Sequence, residues 1–183
     1  MMSLAGRPLA MSAADALAWF DGLDPCDERA LRGMWKGQEV RTGHRLDGAL
    51  ANVSWFGKRF DSAQDVHPLV VSDAFGNPYP LEPQVVPMSM IISPIPTPGV
   101  VKALAPALMT VLRPAIGARG HGAHLETIEY RGVRTAAMVY NRRPLVDVFR
   151  AIDRNTVLGV MDHESMTYPY FFVLQRDTAT PQV

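Results

Sequence analysis

Apolar and polar residues alternate in strand-length runs through the C-terminal part of the chain. Runs of about six to nine residues, separated by short polar turns, are typical of an antiparallel meander that closes into a barrel or a sandwich. The pattern therefore predicts a C-terminal β-meander over residues 119–183. Its strands are HLETIEYRG, VRTAAMVYN, LVDVFRAID, TVLGVMDH and YFFVLQRD.

The N-terminal part has the pattern of short helices instead. Ser12 is suited to cap a helix that ends at Gly22, with apolar residues on one side between them. A second short helix is predicted with Asp24 as its cap, Pro25 in its first position and its end near Gly33.

The pattern is mixed in the region that follows. The pattern of residues 35–41 predicts a strand that is polar on both faces. Such a strand is typical of a sheet edge or of a water-filled interior. Residues 46–55 have apolar positions near helical spacing, and Gly57 interrupts that spacing. Residues 66–81 predict a hairpin, because FGNPY supplies turn-forming residues.

Residues 83–118 form an apolar, proline-rich insertion, and no acidic residue lies between Pro83 and Leu125. The prolines remove backbone donors, and the stretch KALAPALMTVLRP is well short of the roughly 20 residues that cross a bilayer. A membrane span is therefore not expected. We expect an extended stretch and then a helix of about three turns, acting as a lid, a partner contact or a contact to a membrane surface.

Composition narrows the classes of function. The 183 residues include 18 basic and 18 acidic side chains, so there is no basic surplus for binding nucleic acid. The single cysteine, Cys26, cannot form an internal disulfide, and the N-terminus is not typical of an export signal, which favours a cytoplasmic location. Residues 1–11 are predicted to be a loose extension. Residues 12–183 are predicted to be a single domain, of which 12–82 is the first part. The oligomeric state is not indicated.

The sequence contains only weak patterns for a metal site or a catalytic nucleophile. His121 and His124 form an H-x-x-H pair and His163 adjoins an aspartate, but no further ligand follows at a diagnostic spacing. Cys26, at a predicted helix start, has no recognisable histidine partner. The fingerprints of serine hydrolases, P-loop proteins and dinucleotide-binding proteins are absent from the sequence. We therefore predict neither a metal nor a cofactor.

Three acidic residues, Glu39, Asp147 and Asp162, lie among apolar neighbours in predicted strands. A carboxylate inside a barrel would have a raised pKa and could act as a general base. Glu39 or Asp147, with Tyr140 as proton partner, are the candidates for catalysis. The favoured interpretation is that each acid pairs with an arginine, because buried charges are tolerated when paired. The arginines considered are Arg41, Arg134 and Arg150.

Large aromatic side chains are dense in SWFGKRF and YPYFFVLQR. Rings of this kind fill a dry core or line a cavity of pocket size, and the apolar insertion favours a cavity that it covers. The predicted lining residues are Trp55, Phe56, Phe60, Met138, Tyr140, Phe149, Tyr170 and Phe172. The residues expected to meet a polar or anionic head group are Lys58, Arg142 and Arg150.

Ordered motifs along the chain resemble the GXWXG protein family, whose C-terminal half is domain of unknown function 4334. The N-terminal motifs are GMWKG, WFGKRF and HPL, and the C-terminal ones are EYRG, MVY, DVFR, LGVMD and FFVLQR. The family implies no activity. The G-x-W on a first strand is also similar to that of calycins, the lipocalins and fatty-acid-binding proteins.

In calycins an arginine on a late strand packs over this tryptophan and closes one end of the barrel. The similarity implies that Gly33, Trp35, Gly37 and Arg176 form such a plug here. A guanidinium stacked on an indole contributes roughly 0.5–2 kcal/mol. Alternation would then point Tyr170 and Phe172 inward with Arg176.

The resulting expectation is a mainly β, α+β chain: an antiparallel calycin-like β-barrel with short N-terminal helices and an apolar helical insertion. Its leading function is the binding of a lipid or another small apolar ligand, with contact to a membrane surface through residues 83–118. Two alternatives stay open. One is an enzyme that isomerises, cyclises or hydrates an apolar substrate, and the other is an interaction protein that docks through the insertion.

Overall fold

The chain folds mainly into antiparallel strands. In this computed structural model, residues 10–85, 99–164 and 166–179 are described. The helices are α1 (Ala13–Asp21) and α2 (Gly99–Ile116), and short 3-10 turns lie at Glu28–Leu31, Leu50–Val53 and Pro83–Val85. The strands are β1 (Asp24–Pro25), β2 (Gly33–Glu39), β3 (Trp55–Phe60), β4 (Val66–Ser72), β5 (Pro78–Pro80), β6 (Ala123–Tyr130), β7 (Val133–Tyr140), β8 (Val146–Asp153), β9 (Thr156–Asp162) and β10 (Tyr170–Arg176).

Eight of these strands pair in a ring. Its order is β8, β7, β6, β4, β3, β2, β10 and β9, and β9 pairs again with β8. Every pairing between these strands is antiparallel. The junction between β4 and β6 rests on one residue pair, Val66 with Ala123. The predicted mainly β, antiparallel fold and the C-terminal meander are confirmed.

The C-terminal strands of the ring, β6 to β10, separate two apolar clusters. Tyr170, Phe172 and Leu174 of β10 belong to the cluster that contains Trp35, which we call the inner cluster. Phe171 and Val173 belong to the cluster that includes residues of α1, which we call the outer cluster. Because successive side chains of a strand point to opposite faces, this division follows directly from the sequence alternation.

The N-terminal helices were predicted with mixed success. α1 is confirmed, since the Ser12 side chain accepts a hydrogen bond from Asp15 N and Gly22 is the C-cap. The second helix was placed wrongly. Asp24 and Pro25 pair in extended conformation with β8, and Asp27 caps the short 3-10 turn that follows.

The middle of the chain does not form an α-helix, although its apolar positions lie near helical spacing. Residues 46–55 contain turns and the 3-10 turn Leu50–Val53, after which β3 begins at Trp55. A bulge at Gly57 shifts the register between β3 and β4. The predicted strand over residues 35–41 is observed as β2, and the predicted hairpin is observed as β4 and β5.

The apolar insertion contributes α2, which packs against β4 and β5. Ala105 and Met109 of α2 are buried, and Met109 joins Tyr79 and Leu81 in a small apolar cluster. The helix surface beside this buried face exposes apolar side chains, which are Leu104, Leu108, Val111 and Leu112. The extended stretch expected at 86–98 lies outside the described residues. No helix among those described is long and apolar enough to cross a membrane.

The predicted loose extension also falls largely outside the described part of the chain, which begins at Ala10. Ala10 forms a bridge with Arg41, and Met11 N donates a hydrogen bond to Arg41 O at 3.0 Å.

Candidate functional site

Trp35 lies at one end of the inner cluster with Arg176 over it. Trp35 is 1% exposed, and its Nε1 donates to Leu31 O at 2.6 Å. The guanidinium of Arg176 lies 4.4 Å from the centre of the indole and donates to Ala30 O and Arg32 O. A guanidinium held by two carbonyls and stacked on a buried ring is well ordered. This pair therefore covers the inner cluster at that end.

The two glycines beside Trp35 have different roles. Gly33 has a φ of +108°, which disfavours any residue with a side chain. Gly37 is needed for space, because a Cβ there would collide with the Trp55 ring. Of the two tryptophans, it is therefore Trp55 whose ring packs against Gly37.

Trp55 and Lys58 both face the inner cluster, although three positions separate them. Regular alternation would point them to opposite faces of the strand. The bulge at Gly57 shifts the alternation, so both side chains point inward. Trp55 packs edge-to-face on Phe172 with the ring centres 5.9 Å apart. The Lys58 ammonium lies 5.0 Å from the centre of the Phe172 ring.

Lys58 and Asp147 form a buried ion pair within this aromatic surrounding. Lys58 Nζ lies 2.6 Å from Asp147 Oδ2, and their side chains are 5% and 1% exposed. Lys58 Nζ also donates to Pro68 O at 2.9 Å. An ammonium has three N–H groups, so these two acceptors leave one N–H directed at the aromatic side chains.

Tyr140 is the third polar member of this group. Burial raises the pKa of Asp147, and the attraction and hydrogen bonds from Lys58 and Tyr140 oppose that rise. Burial and the negative charge of Asp147 raise the pKa of the Tyr140 hydroxyl well above its ordinary value. We call Lys58, Asp147 and Tyr140 the polar triad. It holds one positive charge, one negative charge and a neutral hydroxyl in an apolar surrounding.

The predicted arginine partners of the buried acids are not the ones observed. Asp147 pairs with Lys58. Glu39 accepts hydrogen bonds from Gly48 N, Leu50 N and the Tyr170 hydroxyl, at 3.0, 2.9 and 2.6 Å. Asp162 accepts from the Tyr130 hydroxyl at 2.7 Å. Sequence spacing cannot predict such partners because strand pairing brings them from distant positions.

Most predicted lining residues lie in the inner cluster. Phe56, Arg142 and Arg150 do not. Phe56 faces outward beside Lys36, and Arg150 is buried against Phe20 of the outer cluster. The lining residues found in the inner cluster or against it are Trp55, Phe60, Met138, Tyr140, Phe149, Tyr170 and Phe172.

The inner cluster is partly exposed at the end away from Trp35. β10 runs from Tyr170, which pairs with Met161, to Arg176, which pairs with Trp35. Side chains near the Tyr170 end are only half-buried. They are Leu50, Trp55, Tyr140, Met161 and Met166.

A cleft of about 320 Å³ lies next to this end, and Tyr140 is one of its walls. The cleft is rich in basic side chains. Its charged and polar lining includes Glu82, Arg119, His121, Asn141, Arg142 and Arg143. Tyr140 therefore lies between the cleft and the Lys58–Asp147 pair.

The predicted histidine pair is separated in the fold. His124 interacts with Asn141 and Glu126, at 2.8 and 2.9 Å. His121 instead stacks on His67, with ring centres 4.6 Å apart. Burial is the main cause that lowers the pKa of His67, to about 4.

Asp61 completes a cluster with these two histidines. One ligand atom each from Asp61, His67 and His121 lie within 4.8 Å of one another, the one such group of three found in the described part of the chain. Sequence reasoning missed His67 and Asp61 because only the pairing of β4 with β6 brings them to His121.

Cys26 is buried, and burial raises the pKa of its thiol to about 12. A thiol with so high a pKa is almost entirely protonated at neutral pH, so it is a poor nucleophile.

Two family models match the chain. Residues 18–76 match the family described as GXWXG protein, and residues 121–176 match Domain of unknown function (DUF4334). The resemblance to these two families is confirmed. A crystal structure of a protein from Thermomonospora curvata is similar to the chain, with a TM-score of 0.68 and 25% sequence identity over 92% of this chain and 90% of that one. No curated protein matches the chain.

Proposed function

We propose that this chain, which combines a GXWXG region with a DUF4334 region, binds a small, largely apolar ligand inside the ring of strands. We interpret the ring as a calycin-like barrel, closed at the Trp35 end and entered at the Tyr140 end. The observation that carries the proposal is the polar triad: its Lys58–Asp147 pair is buried in an aromatic surrounding, and Tyr140 reaches the cleft at the half-buried end.

The free-energy cost of burying the charges of Lys58 and Asp147 supports a ligand-binding role. Burying two charges has a desolvation penalty of several kcal/mol per ion, and replacing such a pair by apolar residues is often neutral or stabilising. Because a core that only had to be stable would gain nothing from Lys58 and Asp147, we interpret the pair as a recognition element. Its free N–H and the Tyr140 hydroxyl are suited to hold an oxygen of the ligand.

Charge decides what kind of polar group fits. Asp147 already neutralises Lys58 at 2.6 Å, so a second carboxylate would be placed next to an existing negative charge. A neutral oxygen, as in an alcohol, aldehyde, ketone or ester, avoids that repulsion. The rest of the ligand would lie among Trp55, Phe149 and Phe172, whose rings meet edge-to-face.

A displacement assay tests this proposal. The fluorescent polyene ester methyl cis-parinarate, which has a neutral head group, would be titrated into the protein and then displaced with long-chain alcohols and with the matching acids. We expect saturable binding of the probe and stronger displacement by the alcohol than by the acid. No saturable binding and no displacement by any acyl compound would rule the proposal out.

Trp55 and Phe56 provide matched variants, since they are neighbours on β3 that face opposite sides. Trp55→Ala removes an inner ring and should weaken probe binding about tenfold, because one aromatic contact contributes about 0.5–1.5 kcal/mol beyond its buried area. Phe56→Ala should leave binding unchanged. Equal effects of the two variants would contradict an interior site.

An enzyme is the second candidate, and it is favoured by the raised pKa of Asp147 beside Tyr140. A buried carboxyl with such a pKa is suited to exchange a proton with an apolar substrate that carries a carbonyl or hydroxyl group, as in an isomerisation or a hydration. Asp147 would act as the base or acid, and Lys58 would hold the polarised oxygen.

Incubation with candidate ligands in deuterated water, followed by mass spectrometry, should show deuterium incorporation that Asp147→Asn abolishes. Unlabelled ligand recovered from the wild-type protein would leave binding alone as the function.

Contact with a membrane surface is part of the proposal. α2 exposes an apolar stripe, and its surrounding sequence from Pro83 to Leu125 has basic residues but no acidic ones. An apolar helix face with basic neighbours suits an anionic bilayer surface. Such a surface would be the source from which an apolar ligand enters the ring.

A further inference from the structure

Two histidines and one aspartate converge on the outside of the ring. His67 Nε2 and His121 Nε2 each lie 3.5 Å from the same atom, Asp61 Oδ2. His67 is 5% exposed, whereas the side chains of His121 and Asp61 are 36% and 40% exposed. The three ligand atoms therefore face one point that solvent can reach.

We propose that Asp61, His67 and His121 form a binding site for a divalent transition metal ion, with Zn²⁺ as the best-suited ion. In a tetrahedral zinc site with bonds of about 2.0–2.1 Å, neighbouring ligand atoms are about 3.3–3.4 Å apart. Two of the separations, at 3.5 Å, are close to that edge, and all three ligand atoms lie within 4.8 Å of one another, so the two histidines would approach each other when the ion binds. Three protein ligands leave the fourth position to water.

Asp65 supplies the outer support that such a site needs. His121 Nδ1 lies 3.1 Å from Asp65 Oδ1, so this carboxylate is placed to accept the Nδ1 proton. In that tautomer Nε2, which lies 3.5 Å from Asp61 Oδ2, would carry the free lone pair. Metal-bound histidines almost always have a carboxylate or carbonyl in this position.

Backbone pairing holds the ligands in place. His67 follows Val66, which pairs with Ala123 in the single bridge between β4 and β6. Gly122 N donates to Val66 O at 3.0 Å, so His121 is fixed beside His67. A metal ion here would bind across the weakest junction of the ring and tie β4 to the start of β6.

The set of donors selects the class of metal. Two imidazoles and one carboxylate suit Zn²⁺, Co²⁺ and Ni²⁺, whereas Mg²⁺ and Ca²⁺ prefer sites made of oxygen ligands alone. The positive charge of Arg59 opposes metal binding, since its Nε lies 3.0 Å from Asp61 Oδ1 and donates to Oδ2, the proposed ligand atom, at 3.2 Å. It lowers the affinity of the site while orienting the carboxylate, and Asp65 supplies a compensating negative charge.

Tag-free protein, treated with a chelator and dialysed, would be titrated with Zn²⁺ against a chromophoric chelator, and separately with Co²⁺. We expect one ion per chain and the intense visible absorption of tetrahedral Co²⁺. His121→Ala should weaken zinc binding at least 100-fold. Asp65→Asn should weaken it about 10- to 100-fold, as is usual for a group that orients a ligand.

His124→Ala is the matched control, because His124 is a nearby histidine outside the cluster, and it should bind zinc like the wild type. Circular dichroism of the metal-free variants would verify that His121→Ala and Asp65→Asn are folded. Wild-type protein that takes up no stoichiometric zinc, a His121→Ala variant that binds as tightly as the wild type, or an equal loss in His124→Ala would each overturn the proposal.

Discussion

At the scale of single residues, the two tryptophans of the inner cluster, Trp35 and Trp55, have different surroundings. Trp35 is enclosed by Arg176 and the Leu31 carbonyl, and Trp55 lies over Gly37 at the half-exposed end. The two tryptophans are therefore expected to respond differently to truncation.

Trp35→Ala should lower the free energy of unfolding by about 3–5 kcal/mol, because it leaves a cavity under Arg176 in a buried cluster. Probe affinity of the folded variant should be unchanged. Urea unfolding and a probe titration measure the two quantities. A variant that keeps its stability and changes its ligand preference would place Trp35 in the binding site instead.

Single and double substitutions of Lys58 and Asp147 should also have different effects. Lys58→Met alone should lower the free energy of unfolding by about 3–5 kcal/mol, because it leaves Asp147 buried without its partner. The double variant Lys58→Met/Asp147→Leu should recover most of that loss, since neither charge remains. If the pair serves recognition, the double variant is stable and still loses its preference for alcohols over acids. A double variant that retains this preference would show that the pair is structural.

At the scale of elements, the prediction from sequence succeeded where the hydrophobic alternation is regular and failed where tertiary pairing decides. The C-terminal strands and α1 follow local pattern and capping, and they are as predicted. Asp24–Pro25 became a strand because β8 offers it a partner. The inward position of Lys58 depends on the bulge at Gly57, and no spacing rule reveals it. The metal-type cluster was missed for the same reason, because its members lie far apart in sequence.

α1 is tied to the turn between β6 and β7 by an ion pair whose strength depends on pH. Arg131 donates from Nε and Nη2 to Asp21, both at 2.7 Å, and these hydrogen bonds lower the pKa of Asp21 below 3.8. The folded-state pKa is depressed, so the stabilisation is complete above the unfolded value and is lost as pH falls through the folded value.

Asp21→Asn should therefore be less stable than the wild type at neutral pH, by less than about 1 kcal/mol because the pair is partly exposed and screened. The difference should shrink as the pH falls below 4. Urea unfolding at a series of pH values measures it, with Glu129→Gln as a control for an exposed acid. A difference that stays constant down to pH 2 would contradict this assignment.

The proposed contact with a membrane surface can be tested by substitutions in α2. Val111→Glu places a negative charge in the exposed apolar stripe and should abolish flotation with vesicles that contain anionic lipids. Ala103→Glu adds the same charge beside the stripe and should reduce flotation only slightly. Wild-type protein that does not float with anionic vesicles, yet self-associates through the stripe in sedimentation experiments, would assign α2 to protein contacts.

At the scale of the whole molecule, the ring has two unlike ends, and the polar triad lies at its inner cluster. The GXWXG region supplies Trp35 and Lys58, and the DUF4334 region supplies Arg176, Asp147, Tyr140 and most of the inner aromatic residues. Neither region has the complete triad. The pairing of β2 with β10 and of β4 with β6 joins them, so the two regions are expected to act as one unit.

Native mass spectrometry of gently purified, tag-free protein tests the central claim most directly. The account predicts a population that carries one small apolar molecule per chain, which is released on denaturation and reduced in Trp55→Ala but retained in Phe56→Ala. A single mass equal to that of the bare chain, unchanged after incubation with long-chain alcohols, would contradict the account.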